Sequence, residues 1–171
     1  MLSSVQAVFR YANPLSEITC GKFHPDGHLF AAGLKSGRIQ LFQTESSEAA
    51  AEFDAGGPVQ AIAFSENGTW LAAAVQGQTS VGIWDLRKQE VIKVLEIGSA
   101  VEGLDWDYTG QFLAVAGPGC VAVEQYSKAT KGWSEPFWRA VAAKAVQWGP
   151  NGYSLIALTA EGALTMLAAA V

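Results

Sequence analysis

The chain has 171 residues, half of them hydrophobic and 16% charged, a balance that fits a packed domain and excludes a disordered one. Eleven Lys and Arg against 16 Asp and Glu give a formal net charge of −5. The basic residues are scattered, so neither nucleic acid nor an anionic membrane is expected as a partner. Cys20 and Cys120 are too few for a disulfide framework or a cysteine zinc site, and they read as reduced, buried thiols of an intracellular protein. No signal-peptide pattern opens the chain, and no apolar run approaches the ~20 residues of a membrane span.

In chain order, residues 1–13 come first, with one strand-like segment, Val5 to Tyr11, that reads as an outer strand or the remnant of a preceding repeat unit. Residues 14–171 then form one domain that repeats itself. The segments Cys20 to Gly27, Ala61 to Gly68, Gly103 to Gly110 and Ala145 to Gly152 align without gaps. In each, an aromatic residue (Phe23, Phe64, Trp106, Trp148) precedes a glycine (Gly27, Gly68, Gly110, Gly152) by four positions. Both series step by 41, 42 and 42 residues. The dipeptides Asp26-Gly27, Asn67-Gly68, Thr109-Gly110 and Asn151-Gly152 suit tight hairpins, where glycine supplies a positive φ.

After each hairpin comes a short apolar run: Leu29 to Ala32, Trp70 to Val75, Phe112 to Ala116, Leu155 to Leu158. A break follows, then a third strand: Arg38 to Phe42, Ser80 to Trp84, Cys120 to Glu124, Ala163 to Leu167. A more polar fourth strand leads onward: Ala50 to Asp54, Val91 to Ile97, Pro136 to Ala142. Several of these strands are apolar on both faces, as a sheet sandwiched between two others requires. Four strands per ~42 residues make the blade of a β-propeller, so the fold class is all-β, with four-stranded antiparallel blades in about four copies. The count favours closure: Val5–Tyr11 beside Ala163–Leu167 would complete the fourth blade of a small ring. The competing arrangement pairs the open blade faces of two chains.

Several motifs that look chemical fail on context. His24 and His28 would share one face of a helix, but Pro25-Asp26-Gly27 between them dictates a turn, so both are expected to face solvent. Gly117-Pro118-Gly119 imitates a dinucleotide fingerprint, yet a strand follows it where that fingerprint needs a helix. Asn67-Gly68-Thr69 matches a glycosylation acceptor but is the hairpin itself. Asp105 and Asp107 share a strand face with no histidine or nucleophile beside them, and read as solvated or turn-bonded. Cys20 near His24 has nothing to orient it as a catalytic pair. No catalytic, cofactor or metal residue is expected. Trp84, Trp106 and Trp148 sit at repeat positions and read as core. Trp133, Trp138 and Arg139 lie on the last outer strand and its approach; packing is their first reading, and partner binding the second.

The third strand of the second repeat ends in Trp84-Asp85, followed by Leu86-Arg87-Lys88. With Phe23-His24-Pro25-Asp26-Gly27 and with Ala61 to Gly68, this resembles WD repeats, and more narrowly the carboxy-terminal WD-repeat domain of the pre-mRNA-processing factor 19 family, over roughly residues 16 to 170. The resemblance implies a nuclear spliceosomal scaffold of a ubiquitin ligase, with a part in DNA repair. In that family catalysis belongs to an amino-terminal U-box, and the propeller recruits partners and substrates. The chain departs from the pattern in three ways. No segment matches a U-box or coiled coil. Four repeats stand where the family has seven. The Asp usual before the third strand is missing, so the family's Asp–His–Ser/Thr–Trp network is expected to be absent and the blades to rest on apolar packing.

The expected function is a non-catalytic protein-interaction scaffold, partnered by spliceosomal proteins or ubiquitination substrates, with a homodimer through open blade faces as one arrangement. A generic WD adaptor unrelated to splicing is the nearest alternative. An enzyme or ligand-binding propeller using the central channel is the alternative of another class.

Overall fold

The computed structural model describes residue 10 and residues 16–152 and 154–168, and these form strands and turns without a helix. The first sheet holds β1 (Ile18–Phe23), β2 (Leu29–Leu34), β3 (Arg38–Gln43) and β4 (Ala49–Asp54). The second holds β5 (Val59–Phe64), β6 (Trp70–Val75), β7 (Ser80–Asp85) and β8 (Glu90–Glu96). The third holds β9 (Gly103–Trp106), β10 (Phe112–Ala116) and β11 (Val121–Ser127), with β12 (Gly132–Trp133) and β13 (Phe137–Arg139) both paired to β11. The fourth holds β14 (Ala143–Trp148), β15 (Ser154–Thr159) and β16 (Leu164–Ala168). Every pairing is antiparallel between chain neighbours, apart from the step to β13.

One expected strand is corrected. The run Pro136 to Ala142 supplies only Phe137–Arg139, and Gly132–Trp133 takes the other half of the outer position, opposite Tyr126 and Ser127. Pro136 has no N–H to give to a ladder, so the strand breaks there.

The sheets stack face to face. Inner strands meet β1 on β5, β5 on β9 and β9 on β14, while β2, β6 and β10 each lie under the next sheet's inner strand. Cross-strand partners on the covered face keep one register throughout: Ala31 opposite Leu41, Ala72 opposite Ile83, Ala114 opposite Val123. One step along lie Gly33 opposite Ile39, Ala74 opposite Val81 and Ala116 opposite Val121. The second strand thus offers Ala or Gly wherever the next sheet descends. At Gly33 the approach is so close that a Cβ would lie 2.6 Å from the Val59 side chain of the neighbouring sheet. The three cores lie in these seams: Ile39, Phe53, Phe64 and Trp84 in the first; Ile83, Leu104, Trp106 and Leu113 in the second; Val121, Val146 and Leu155 in the third.

Closure into a four-membered ring is not observed. Packing runs along the four inner strands in order, and no comparable packing joins β14 to β1 among the described residues. A four-membered ring needs a quarter turn at each seam. The Ala and Gly that β2, β6 and β10 present at each seam let neighbouring sheets approach closely, which works against opening that angle. The strand expected from Val5 to Tyr11 lies outside the described residues.

Candidate interaction surface

At one hairpin end a repeat glycine, Gly68, ties two sheets together. His24, expected to face solvent, is instead nearly buried, with its side chain 11% exposed, while His28 is open. The His24 Nε2 lies 2.9 Å from the carbonyl oxygen of Gly68 in the next sheet, and a carbonyl only accepts, so Nε2 carries the hydrogen. Its Nδ1 lies 2.7 Å from Asp26 Oδ1. The backbone N–H of His28 donates to that carboxylate, and together with His24 it holds the carboxyl of Asp26 below its ordinary range. The imidazole edge also meets the ring of Phe64 at 5.1 Å. Two seams away, Tyr108 stands against Gly152 in the same manner.

Two further polar links cross the seams. Thr19 Oγ1 donates to the Val59 carbonyl at 2.6 Å, and the Trp148 N–H donates to Asp105 Oδ2 at 2.7 Å. The blades therefore do not rest on apolar packing alone. Sequence reasoning missed these links because each uses a backbone group on one side, which leaves no residue signature.

The carboxylates divide by role. Asp107 is 2% exposed and accepts the backbone N–H groups of Thr109, Gln111 and Phe112, closing its own hairpin. Asp105 is given over to the seam, and burial pushes its pKa up. Glu124, buried in the third strand of its sheet, is also pushed up, first by burial and then by the charge of Glu135, with Lys93 opposing. Cys20 is half-buried and Cys120 buried, both free, and burial raises both thiols. Both nitrogens of His24 are engaged, by Gly68 and by Asp26. Among the described residues no cluster of His, Cys, Asp or Glu could hold a metal ion.

The structure separates the three candidate partner-binding residues. Trp133 is half-buried and belongs to a ring cluster: its centroid lies 5.9 Å from Trp106, 6.1 Å from Trp70 and 5.5 Å from Tyr126, and Trp70 meets Tyr126 edge-on at 4.6 Å. Trp138 and Arg139 stay open on β13 and line a shallow cleft of about 360 Å³ with Gly98, Ser99, Gly119 and Cys120. Phe137, which the sequence did not single out, is 61% exposed beside Trp138 at 45%. Phe64 and Trp106 on inner strands and Trp84 on β7 are buried, Trp148, expected as core, is half-buried, and Gly27, Gly68, Gly110 and Gly152 lie in the hairpin turns. Asp85 accepts the N–H groups of Arg87 and Lys88 and so shapes the turn after β7. Phe23 is exposed, because no earlier sheet covers it among the described residues.

Comparison with known proteins places this architecture. Residues 2–67 match the anaphase-promoting complex subunit 4 WD40 domain, and residues 50–85 match the WD domain, G-beta repeat. The chain is 35% identical to Pre-mRNA-processing factor 19 of Schizosaccharomyces pombe over 68% of its own length and 24% of that protein. It is 34% identical to Pre-mRNA-processing factor 19 homolog 2 of Arabidopsis thaliana, over 58% of its length and 19% of that protein. To the small ribosomal subunit protein RACK1 of Medicago sativa it is 36% identical, over 46% of its length and 23% of that protein. The chain thus spans a quarter or less of the length of these relatives. Among solved structures, the Cps50 (Swd1) β-propeller domain of Myceliophteria thermophila superposes with a TM-score of 0.75 at 18% identity, covering 88% of this chain and 52% of that one. Hydrazine synthase of Kuenenia stuttgartiensis superposes at 0.77 and 17% identity, covering 96% and 49%. The chain is built of WD40 repeats in a β-propeller fold, with four sheets among the described residues.

Proposed function

We propose that the chain is a non-catalytic scaffold that recruits protein partners to a pre-mRNA splicing assembly, with Phe137, Trp138 and Arg139 as its contact surface. The observation that carries the reading is this exposed aromatic pair with an arginine, set beside a cleft on a strand held by a rigid sheet. Aromatic residues and Arg are the types on which binding energy concentrates, and a rigid frame limits the entropy lost on binding. Likeness to Pre-mRNA-processing factor 19 over 68% of the chain supports the splicing context. Nuclear residence, service to a ubiquitin ligase and a part in DNA repair belong to the same proposal. Within such a complex the proposed role of these repeats is recruitment, and ubiquitin transfer belongs to other parts of the assembly. A second copy of the chain is one of the partners proposed.

The test is affinity purification of the tagged chain from nuclear extract, beside a Trp138→Ala/Arg139→Glu variant. Splicing proteins should be recovered with the parent chain, and recovery should fall at least tenfold with the variant at an unchanged melting temperature. Equal recovery by the variant overturns the surface assignment. A parent set without splicing proteins favours the general WD adaptor to which the RACK1 likeness points.

A further inference from the structure

The fourth sheet breaks the rule that the other three obey. The positions equivalent to Ala31, Ala72 and Ala114 and to Gly33, Ala74 and Ala116 are Ile156 and Leu158, opposite Met166 and Leu164. In the first three sheets this face is covered by the next inner strand. In the fourth it is open: Leu164 is 73% and Met166 70% exposed, and Ile156 and Leu158 are exposed with them. Ala145 and Gln147 of β14 complete it opposite Leu158 and Ile156, with Lys144 exposed in the bulge beside Ala145. A sheet face left open to water in a row of repeats is ordinarily polar. This one is apolar, and it is also too bulky for another sheet to nest as the earlier ones do. Where Gly33 sits, a single Cβ would already collide with Val59 of the next sheet.

We propose that this face binds its own copy, two fourth sheets packing across a two-fold axis. This develops the self-association included in the proposed function. Four arguments select a second copy. First, Leu, Ile and Met side chains suit the ~10 Å spacing of two sheets packed face to face, with their tips interdigitating. Second, a chain of net charge −5 repels its copy least where a contact carries no acidic side chain, and none of the six facing positions is acidic. Third, head-to-tail stacking is disfavoured by the far end of the row, where Ala32, Leu34 and Phe42 are already buried and Phe23 alone of the repeat aromatics stands open, so the contact is isologous and closes at two. Fourth, three strands of five or six residues give a face of ~240 Å² in plan, or roughly 400 Å² of accessible surface per copy. That is about half the ~800 Å² per partner of a standard interface, so the dimer should be weak and governed by concentration.

Sedimentation velocity of the purified chain between about 5 and 500 µM tests this. The mass should rise from 18.1 kDa toward twice that value across the series. Leu164→Lys/Met166→Lys should hold the chain at the monomer mass throughout, with an unchanged melting temperature at 5 µM, and Met166→Lys alone should weaken association at least tenfold. A parent chain that remains monomeric at 500 µM overturns the proposal. So does a double variant that is folded and still dimerises like the parent, which would assign association to another surface. The Trp138→Ala/Arg139→Glu variant should dimerise normally, so loss of partner recovery and loss of dimer are separate results.

Discussion

At the scale of single residues, the hairpin glycines carry two demands that a turn alone does not explain. Gly27 and Gly68 both hold positive φ, 78° and 66°. Around Gly27 there is open space, whereas at Gly68 the His24 ring occupies the place of a Cβ. Gly27→Ala should therefore cost only the left-handed backbone term, ~1–2 kcal/mol. Gly68→Ala should add the loss of the His24 bond and its packing, for a total of ~2–4 kcal/mol. Urea denaturation of the two variants measures the difference; equal losses would show that the His24 latch contributes nothing. Glu124 makes a second residue-scale case. Its folded pKa is raised above the unfolded value, chiefly by burial, so its contribution favours folding below the ordinary carboxylate range and is lost as pH rises through the raised value. Glu124→Gln keeps the shape and removes the buried charge. At neutral pH it should raise the melting temperature by ~2–4 °C, corresponding to about 1 kcal/mol at this length, and the gain should shrink on acidification. Thermal melts from pH 4 to 8 read this, and a gain independent of pH would contradict it.

At the scale of elements, much of the architecture could be read before the structure. Phe23, Phe64, Trp106 and Trp148 with their glycines marked four hairpins, and the runs after them marked β2, β6, β10 and β15. What could not be read were the relations between sheets. His24 looked like a turn histidine because its acceptor is a backbone carbonyl 44 residues away. Trp133 and Trp138 looked alike because both are aromatic and near one outer strand, and only the break at Pro136 sends one into a cluster and leaves the other open. The aromatic residues differ in energetic weight for the same reason. Trp84 is buried in the first seam with Phe53, Phe64 and Leu71. Trp84→Ala should cost ~3–5 kcal/mol, a large part of a typical ~5–15 kcal/mol stability. Trp148 is only half-buried, beside the third seam, and Trp148→Ala should cost less than half as much. A denaturation midpoint unmoved by Trp84→Ala would remove that residue from the core.

At the scale of the whole molecule, four sheets in a row differ by how many neighbours cover them. The second and third sheets are packed on both faces, and β6 and β10 are buried almost throughout. The fourth sheet is packed on one face only, and β16 alternates exposed and half-buried along its length. In a row of repeats each unit is held by its nearest neighbours, so local opening is easiest where one neighbour is missing. The bonds within a sheet do not offset this, because β15 and β16 make the same antiparallel ladder as β6 and β7. Amide hydrogen exchange at a few µM, where self-association is negligible, should therefore show β15 and β16 exchanging at least tenfold faster than β6, β7 and β10. Raising the concentration toward 500 µM should slow exchange in β15 and β16 while leaving β6 and β7 unchanged, since a second copy would supply the missing cover. Uniform protection across all four sheets at low concentration would mean that the chain opens as one cooperative unit and that the end sheet is not its weak point.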